Sequence, residues 1–313
     1  MSLSLEDIQA AQRRLKGRIR RTPLLSASQM RAPLAAGQLH LKLESLQVSG
    51  SFKARGATNA LLSLSHEELR TGICCASGGN HGLAVAFAGW TAGTRAVVFL
   101  PESTPDKKAQ EIASWGAEVR VEGQVFDDAN QAAQAFCAAE GLTYLHPFDD
   151  SRIMAGQGTV GLEILEELSS LDILVVAIGG GGLISGIGRA VKALRPEVRI
   201  IGVEPQGAPT LKRSLEAGEL VTLESIKTVA GTLAPRRSAE ANFEIIRETV
   251  EEIVLVSDEE MREAARWLWR EFGLGAELAG AAAIAALQTG AVTLEEGQSG
   301  CALICGRGTD GVT

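Results

Sequence analysis

The stretch DILVVAIGGGGLISG, residues 172–186, passes from a continuous apolar run straight into four glycines and out again into small and aliphatic residues. Ile173 to Ile178 is short and rich in β-branched residues, so it reads as a strand buried on both faces. Gly179, Gly180, Gly181 and Gly182 then form a strand-to-helix turn whose backbone N–H groups admit a guest closely, and the helix start that follows favours negative charge. One glycine would be an ordinary turn. Four in succession point to an anion, with a phosphate as the obvious guest. A dinucleotide fingerprint, G-x-G-x-x-G, matches at Gly180 and Gly182 but fails at Ser185, and no Gly-Lys-Ser/Thr phosphate loop occurs.

The same strand-then-helix grammar extends in both directions. GICCAS (72–77), RAVVFLP (95–101), EVRVEG (118–123), VRIIGVEP (198–205), EIVLVS (252–257) and CALICG (301–306) read as further strands. NHGLAVAFAGWTAG (80–93), PDKKAQEIASWGA (105–117) and DDANQAAQAFCAAEG (127–141) read as helices. Such alternation predicts an α/β protein of two lobes, each a mostly parallel sheet flanked by helices. We expect a small domain at 71–147 and a larger one built from 1–70 and 148–313. A ligand would lie between them, at the carboxyl ends of strands.

Composition narrows the function classes. The chain has 313 residues, 45% of them hydrophobic, and a net charge of −8, so it has no electrostatic footprint for nucleic acid. Five cysteines, an odd number with no C-x-x-C, read as reduced, buried thiols in a cytoplasmic protein. The N-terminal MSLSLEDIQAAQRRLKGRIR is an amphipathic helix pattern without the apolar core of a signal peptide. No apolar run is long enough to span a bilayer, so no membrane partner is expected.

Two further stretches carry chemistry. SFKARGA (51–57) sets Lys53 among small and apolar residues, where a packed environment lowers an ammonium's pKa and frees the amine. ASGGNHG (76–82) is a second glycine turn before a helix, suited to a carboxylate; Asn80 there is a helix cap or a ligand contact, and His81 a satisfied loop histidine or a catalytic one. A lone lysine, a phosphate cradle and a second anion loop together ask for a phosphorylated aldehyde beside an amino-acid carboxylate, which pyridoxal phosphate supplies.

These motifs, in this order, resemble the fold-type II pyridoxal-phosphate enzymes, specifically the threonine/serine dehydratase and serine racemase group. LKLESLQVSGSFKARGA (41–57) is similar to the lysine segment, SGGNHG to the carboxylate loop, HPFDDSRIMAGQGTVGLEIL (146–165) to the segment closing the site, and GGGGLISG followed by IGVEP to the phosphate loop. The resemblance implies that Lys53 holds the cofactor as an imine and Phe52 lies against its ring. It implies that Asn80 bonds the ring oxygen and that Gly179, Gly180, Gly181, Gly182 and Leu183 bind the phosphate. Cys305 would face the ring nitrogen and Glu277 would lie near the cofactor. Ser77, Gly79, Asn80 and His81 would receive the substrate carboxylate. It further implies β-elimination of L-threonine or L-serine to a 2-oxo acid and ammonia, with Lys53 as base, in a homodimer. The chain's short extent after Cys305 matches the family's form without a regulatory domain.

Departures from the pattern frame the alternatives. Racemases of the group resemble SSGNHG, with a second serine where this chain has Gly78, which favours elimination over an amino-acid racemase. The family's cation site would fall at Glu204, Ala208 and Thr210, leaving Glu204 as the single carboxylate for a divalent or monovalent cation, or a strand-end carboxylate without a metal role. VAGTLAPRR (229–237) and GRGTDG (306–311) also depart. Arg236 and Arg237 either meet a second substrate carboxylate, as in a 3-hydroxyaspartate dehydratase, or form a solvated surface. A pyridoxal-phosphate-binding carrier or interaction protein is the alternative outside enzymes, opposed by the intact Lys53 and both loops.

Overall fold

The structure, a computed structural model, describes residues 3–312, so Met1 and Ser2 of the N-terminal pattern lie outside the described residues. Among the described residues, ten strands form two sheets. The strands are β1 (Leu24–Ser26), β2 (Gln38–Lys42), β3 (Ile73–Ala76), β4 (Ala96–Leu100), β5 (Glu118–Val121), β6 (Thr143–Tyr144), β7 (Ile173–Ala177), β8 (Arg199–Pro205), β9 (Glu252–Val256) and β10 (Ser299–Leu303). The large sheet has the order β1-β2-β10-β7-β8-β9 and the small one β5-β4-β3-β6. Every pairing is parallel except β1 with β2.

Twelve helices cover these sheets: α1 (Leu5–Leu15), α2 (Lys53–Leu62), α3 (His66–Thr71), α4 (Asn80–Ala92), α5 (Asp106–Ala113), α6 (Phe126–Glu140), α7 (Ser151–Glu167), α8 (Gly182–Leu194), α9 (Thr210–Ala217), α10 (Glu240–Thr249), α11 (Asp258–Phe272) and α12 (Leu278–Gln288). Because helices lie on both faces, β3, β4, β7 and β10 are buried along their whole length, which is why they read as unbroken apolar runs. None of the described helices is long and apolar enough to cross a membrane.

The pattern misses three strands. β1 and β6 are too short for any periodicity to register. β2, QLHLK, ends in a lysine, which argues against a central strand; yet Lys42 is fully buried because its ammonium reaches Glu163 and the Thr22 carbonyl, each at 2.8 Å.

Helix α2 joins the two halves. Its Ala57, Ala60 and Leu61 share a core with Ile73, Cys75, Val98 and Leu100 of the small sheet. Its other side crosses α7 so closely that a Cβ on Gly156 would stand 2.6 Å from the Arg55 carbonyl. At the crossing Arg55 is fully buried. Its guanidinium grips both oxygens of Glu44 at 2.7 and 2.8 Å and both oxygens of Glu163 at 2.7 and 2.8 Å. Lys42 and Arg55 thus balance Glu44 and Glu163 in the dry interior, and the pairing holds the Glu163 carboxyl below the usual carboxylate range despite its burial.

Removing one member of such a buried set leaves an unpaired charge, a loss of about 3–5 kcal/mol. Arg55→Ala is therefore expected to lower the stability measured by urea unfolding by that order. Stability equal to wild type would contradict the account.

Candidate active site

The segment leading into α2 is bent into an unusual shape. Ser49 (φ 59°) and Gly50 (φ 84°) are both left-handed, strain that a packed surrounding must enforce on a serine. What enforces it is the chain after β10. Phe52 N–H donates to the Cys305 carbonyl at 3.2 Å, Arg307 N–H to the Gly50 carbonyl at 2.8 Å, and Ser51 bridges Gly306. The expected pair Lys53 and Cys305 is thereby brought together. The Cys305 thiol is buried and donates to the Ala279 carbonyl at 3.3 Å; burial pushes its pKa up, so it stays a neutral thiol.

Lys53 opens α2. Its ammonium donates to the Pro147 carbonyl at 2.6 Å and stands 5.2 Å from the centre of the Phe52 ring. Loss of hydration lowers its pKa to about 8, against a weaker opposing pull from Glu277. Burial disfavours charge in the rest of the site as well. The Glu277 carboxyl is pushed up to about 7 by burial, even though it accepts a hydrogen bond from Asn80 at 2.7 Å. A side chain at Gly306 would strike that pair, its Cβ falling 2.3 Å from Glu277 Oε1, so only glycine leaves room.

The SGGNHG loop departs from the capping alternative. Gly79 is the N-cap of α4, and Asn80, its first helical residue, spends its amide on Glu277 instead. His81 is buried with Nε2 2.9 Å from the Leu145 carbonyl, so Nε2 carries the hydrogen and the ring is neutral, its pKa pushed down to about 3 by burial and by Lys53. The ring sits in the first turn of α4 with Nε2 paired and Nδ1 without a partner among the described residues. Ser77 turns its hydroxyl to the Gly79 N–H at 3.2 Å. At Gly78 a Cβ would lie 2.5 Å from Thr104 Oγ1 and 2.9 Å from its Cγ2, so the Thr104 side chain fills the space a residue-78 side chain would need.

The glycine cradle follows β7. Gly181 has φ 93° and is the N-cap of α8, and no side chain caps that terminus, leaving the amides of Gly182 and Leu183 to an outside acceptor. A Cβ on Gly180 would stand 2.2 Å from the Phe148 ring, and one on Gly179 2.6 Å from the Thr232 carbonyl. Pro147 and Phe148 therefore join the lysine's anchor to the anion cradle, and Thr232, in the divergent VAGTLAPRR stretch, closes against it.

Glu204 and the arginines fall elsewhere. Both Glu204 oxygens accept backbone N–H groups at the start of α9, Leu211 at 2.8 Å and Lys212 at 2.9 Å, so the carboxylate serves that helix terminus. No group of three or more His, Cys, Asp or Glu able to hold a metal lies among the described residues. Arg236 and Arg237 are exposed and brace the carbonyls of Leu223 and Leu220, consistent with the solvated-surface alternative. The divergent GRGTDG has its own use: Asp310 accepts the Leu278 N–H at the start of α12, and Arg307 pairs with Glu111 of α5.

Comparison with known proteins gives a consistent picture. Residues 15–306 match the family model described as pyridoxal-phosphate dependent enzyme. An L-threonine ammonia-lyase of Geobacter sulfurreducens is 42% identical over 95% of this chain and 73% of its own. Maize serine racemase superposes with a TM-score of 0.94 at 29% identity, covering 98% of this chain and 94% of the other. The processed form of threonine deaminase isoform 2 from Solanum lycopersicum superposes with a TM-score of 0.90 at 33% identity, covering 98% and 89%.

An amine with a pKa of about 8 is mostly protonated and inert below that pH and free above it. Reductive methylation followed by mass spectrometry should therefore show Lys53 half-reactive near pH 8, ahead of the exposed lysines. Reactivity rising only with the surface lysines would contradict a desolvated Lys53.

Proposed function

The chain belongs to the pyridoxal-phosphate dependent enzyme family, and from that premise we propose that it is an ammonia-lyase converting L-threonine or L-serine to a 2-oxo acid and ammonia. The carrying observation is Lys53, a desolvated amine held at the Pro147 carbonyl beside an uncapped glycine cradle. The cradle fits the cofactor: side chains at Gly179 or Gly180 would collide with the walls, and glycine keeps the backbone bare. Pyridoxal phosphate, when bound, supplies the electron sink for bond cleavage beside the substrate's amine.

The chain's own groups do the rest. Gly179 to Leu183 would hold the phosphate through backbone N–H groups, and Phe52 would flank the ring. Lys53, its pKa lowered to about 8, would have a larger free-amine fraction near neutral pH than a solvated lysine and is matched to taking a proton from the substrate α-carbon. Asn80, fixed by Glu277, would bond the cofactor's ring oxygen. A neutral Cys305 thiol at the ring nitrogen would leave that nitrogen without a counter-charge. The N–H groups of the Ser77–His81 loop would receive the substrate carboxylate, and the neutral His81 ring keeps that pocket free of a competing cation. We take the enzyme to act in the cytoplasm as a homodimer; five free, buried thiols suit a reducing compartment.

The test is a product assay. L-threonine and L-serine should yield 2-oxobutanoate and pyruvate with matching ammonia, and chiral chromatography should show no comparable D-serine. Predominant D-serine would move the assignment to a racemase. Gly78→Ser should lower kcat/KM about tenfold through its collision with Thr104, and Thr104→Ala in the same chain should recover part of the loss.

A further inference from the structure

The glycine cradle has a fixed point that the motif does not contain. The Gly180 carbonyl accepts two hydrogen bonds from α10 and the turn before it: Ser238 Oγ at 2.9 Å and Asn242 Nδ2 at 3.1 Å. Asn242 spends its other amide hydrogen on the Phe148 carbonyl at 3.0 Å. The residue is 0% exposed, and its Oδ1 has no partner among the described residues. The amide's orientation is nonetheless dictated, because turning it over would set Oδ1 against two carbonyl oxygens.

A trans peptide is planar, so its C=O and the next N–H point in opposite directions. Drawing the Gly180 carbonyl toward Ser238 and Asn242 therefore aims the Gly181 N–H away from them. The Asn242 side chain also backs the loop, since a Cβ on Gly181 would lie 3.1 Å from Asn242 Cβ. By bridging Gly180 and Phe148, the same amide sets the spacing between the cradle and the segment whose Pro147 carbonyl holds Lys53.

We propose that Asn242 and Ser238 are positioning residues of the phosphate cradle: they fix the direction of the Gly181 N–H, and Asn242 holds the cradle at its distance from the lysine. This rests on the cofactor reading above and assigns phosphate affinity to residues acting through the loop backbone. A purely structural role would weaken every form of the cofactor alike, whereas a cradle role acts on the phosphate alone.

The experiment dialyses full-length wild type, Asn242→Ala and Ser238→Ala to equilibrium against pyridoxal phosphate, and separately against pyridoxal, which lacks the phosphate. The ratio of the pyridoxal Kd to the pyridoxal phosphate Kd isolates the phosphate's contribution. Asn242→Ala should cut that ratio about tenfold and Ser238→Ala several-fold. Equal weakening of both ligands, with the ratio unchanged, would overturn the proposal and leave the cofactor reading standing. If Asn242→Ala does not fold, an unchanged ratio in Ser238→Ala overturns it equally. A wild type that binds both ligands alike would instead overturn the cofactor reading, and the proposal with it.

Discussion

Arg55 cannot sit where it does without Glu44 and Glu163, and the site rests on that dependence. A guanidinium in a dry interior is tolerated only when it is well paired, and the two carboxylates come from α7 and from the turn after β2. The pairing anchors the first turn of α2. Lys53 lies in that same turn, so its amine is delivered to the Pro147 carbonyl by a charge cluster that takes no part in chemistry. The strained Ser49–Gly50 turn completes the clamp from the other side, tied down by the segment after β10 that carries Cys305.

Around this fixed amine burial disfavours charge. Burial lowers Lys53 and His81, raises Glu277 and keeps the Cys305 thiol protonated, all by the same loss of hydration. In the proposed role, an incoming phosphate and carboxylate would be met by oriented N–H dipoles at α8 and α4, which need no counter-ion of their own. That arrangement suits chemistry in which the lysine alternates between bonded and free states near neutral pH.

What the sequence could reveal was whatever is local. β7, β3 and β10 announce themselves because burial on both faces demands unbroken apolar residues, and the two glycine loops because a close backbone approach excludes side chains. Lys53 stood out by its apolar neighbours. β2 did not, since Lys42 looks like a surface residue until Glu163, far along the chain, is folded beside it. Asn242, Ser238, Thr104 and Pro147 carry no local signal; each matters through a contact made only in the folded chain. Glu204, which the resemblance offered as a cation ligand and its place near the end of β8 as a plain strand-end carboxylate, accepts the amides of α9, a partner that periodicity cannot reveal. Arg236 and Arg237 turned outward for the similar reason that nearby carbonyls claimed them.

The central claim is that Lys53 is the residue that bonds the cofactor. Borohydride reduction of the purified protein, followed by proteolysis and peptide mass mapping, tests it most directly, because reduction makes the lysine–cofactor bond permanent. The account predicts the added mass of one reduced pyridoxyl phosphate on the peptide containing Lys53 and on no other. The same mass on a different lysine, or on none after incubation with pyridoxal phosphate, would contradict it.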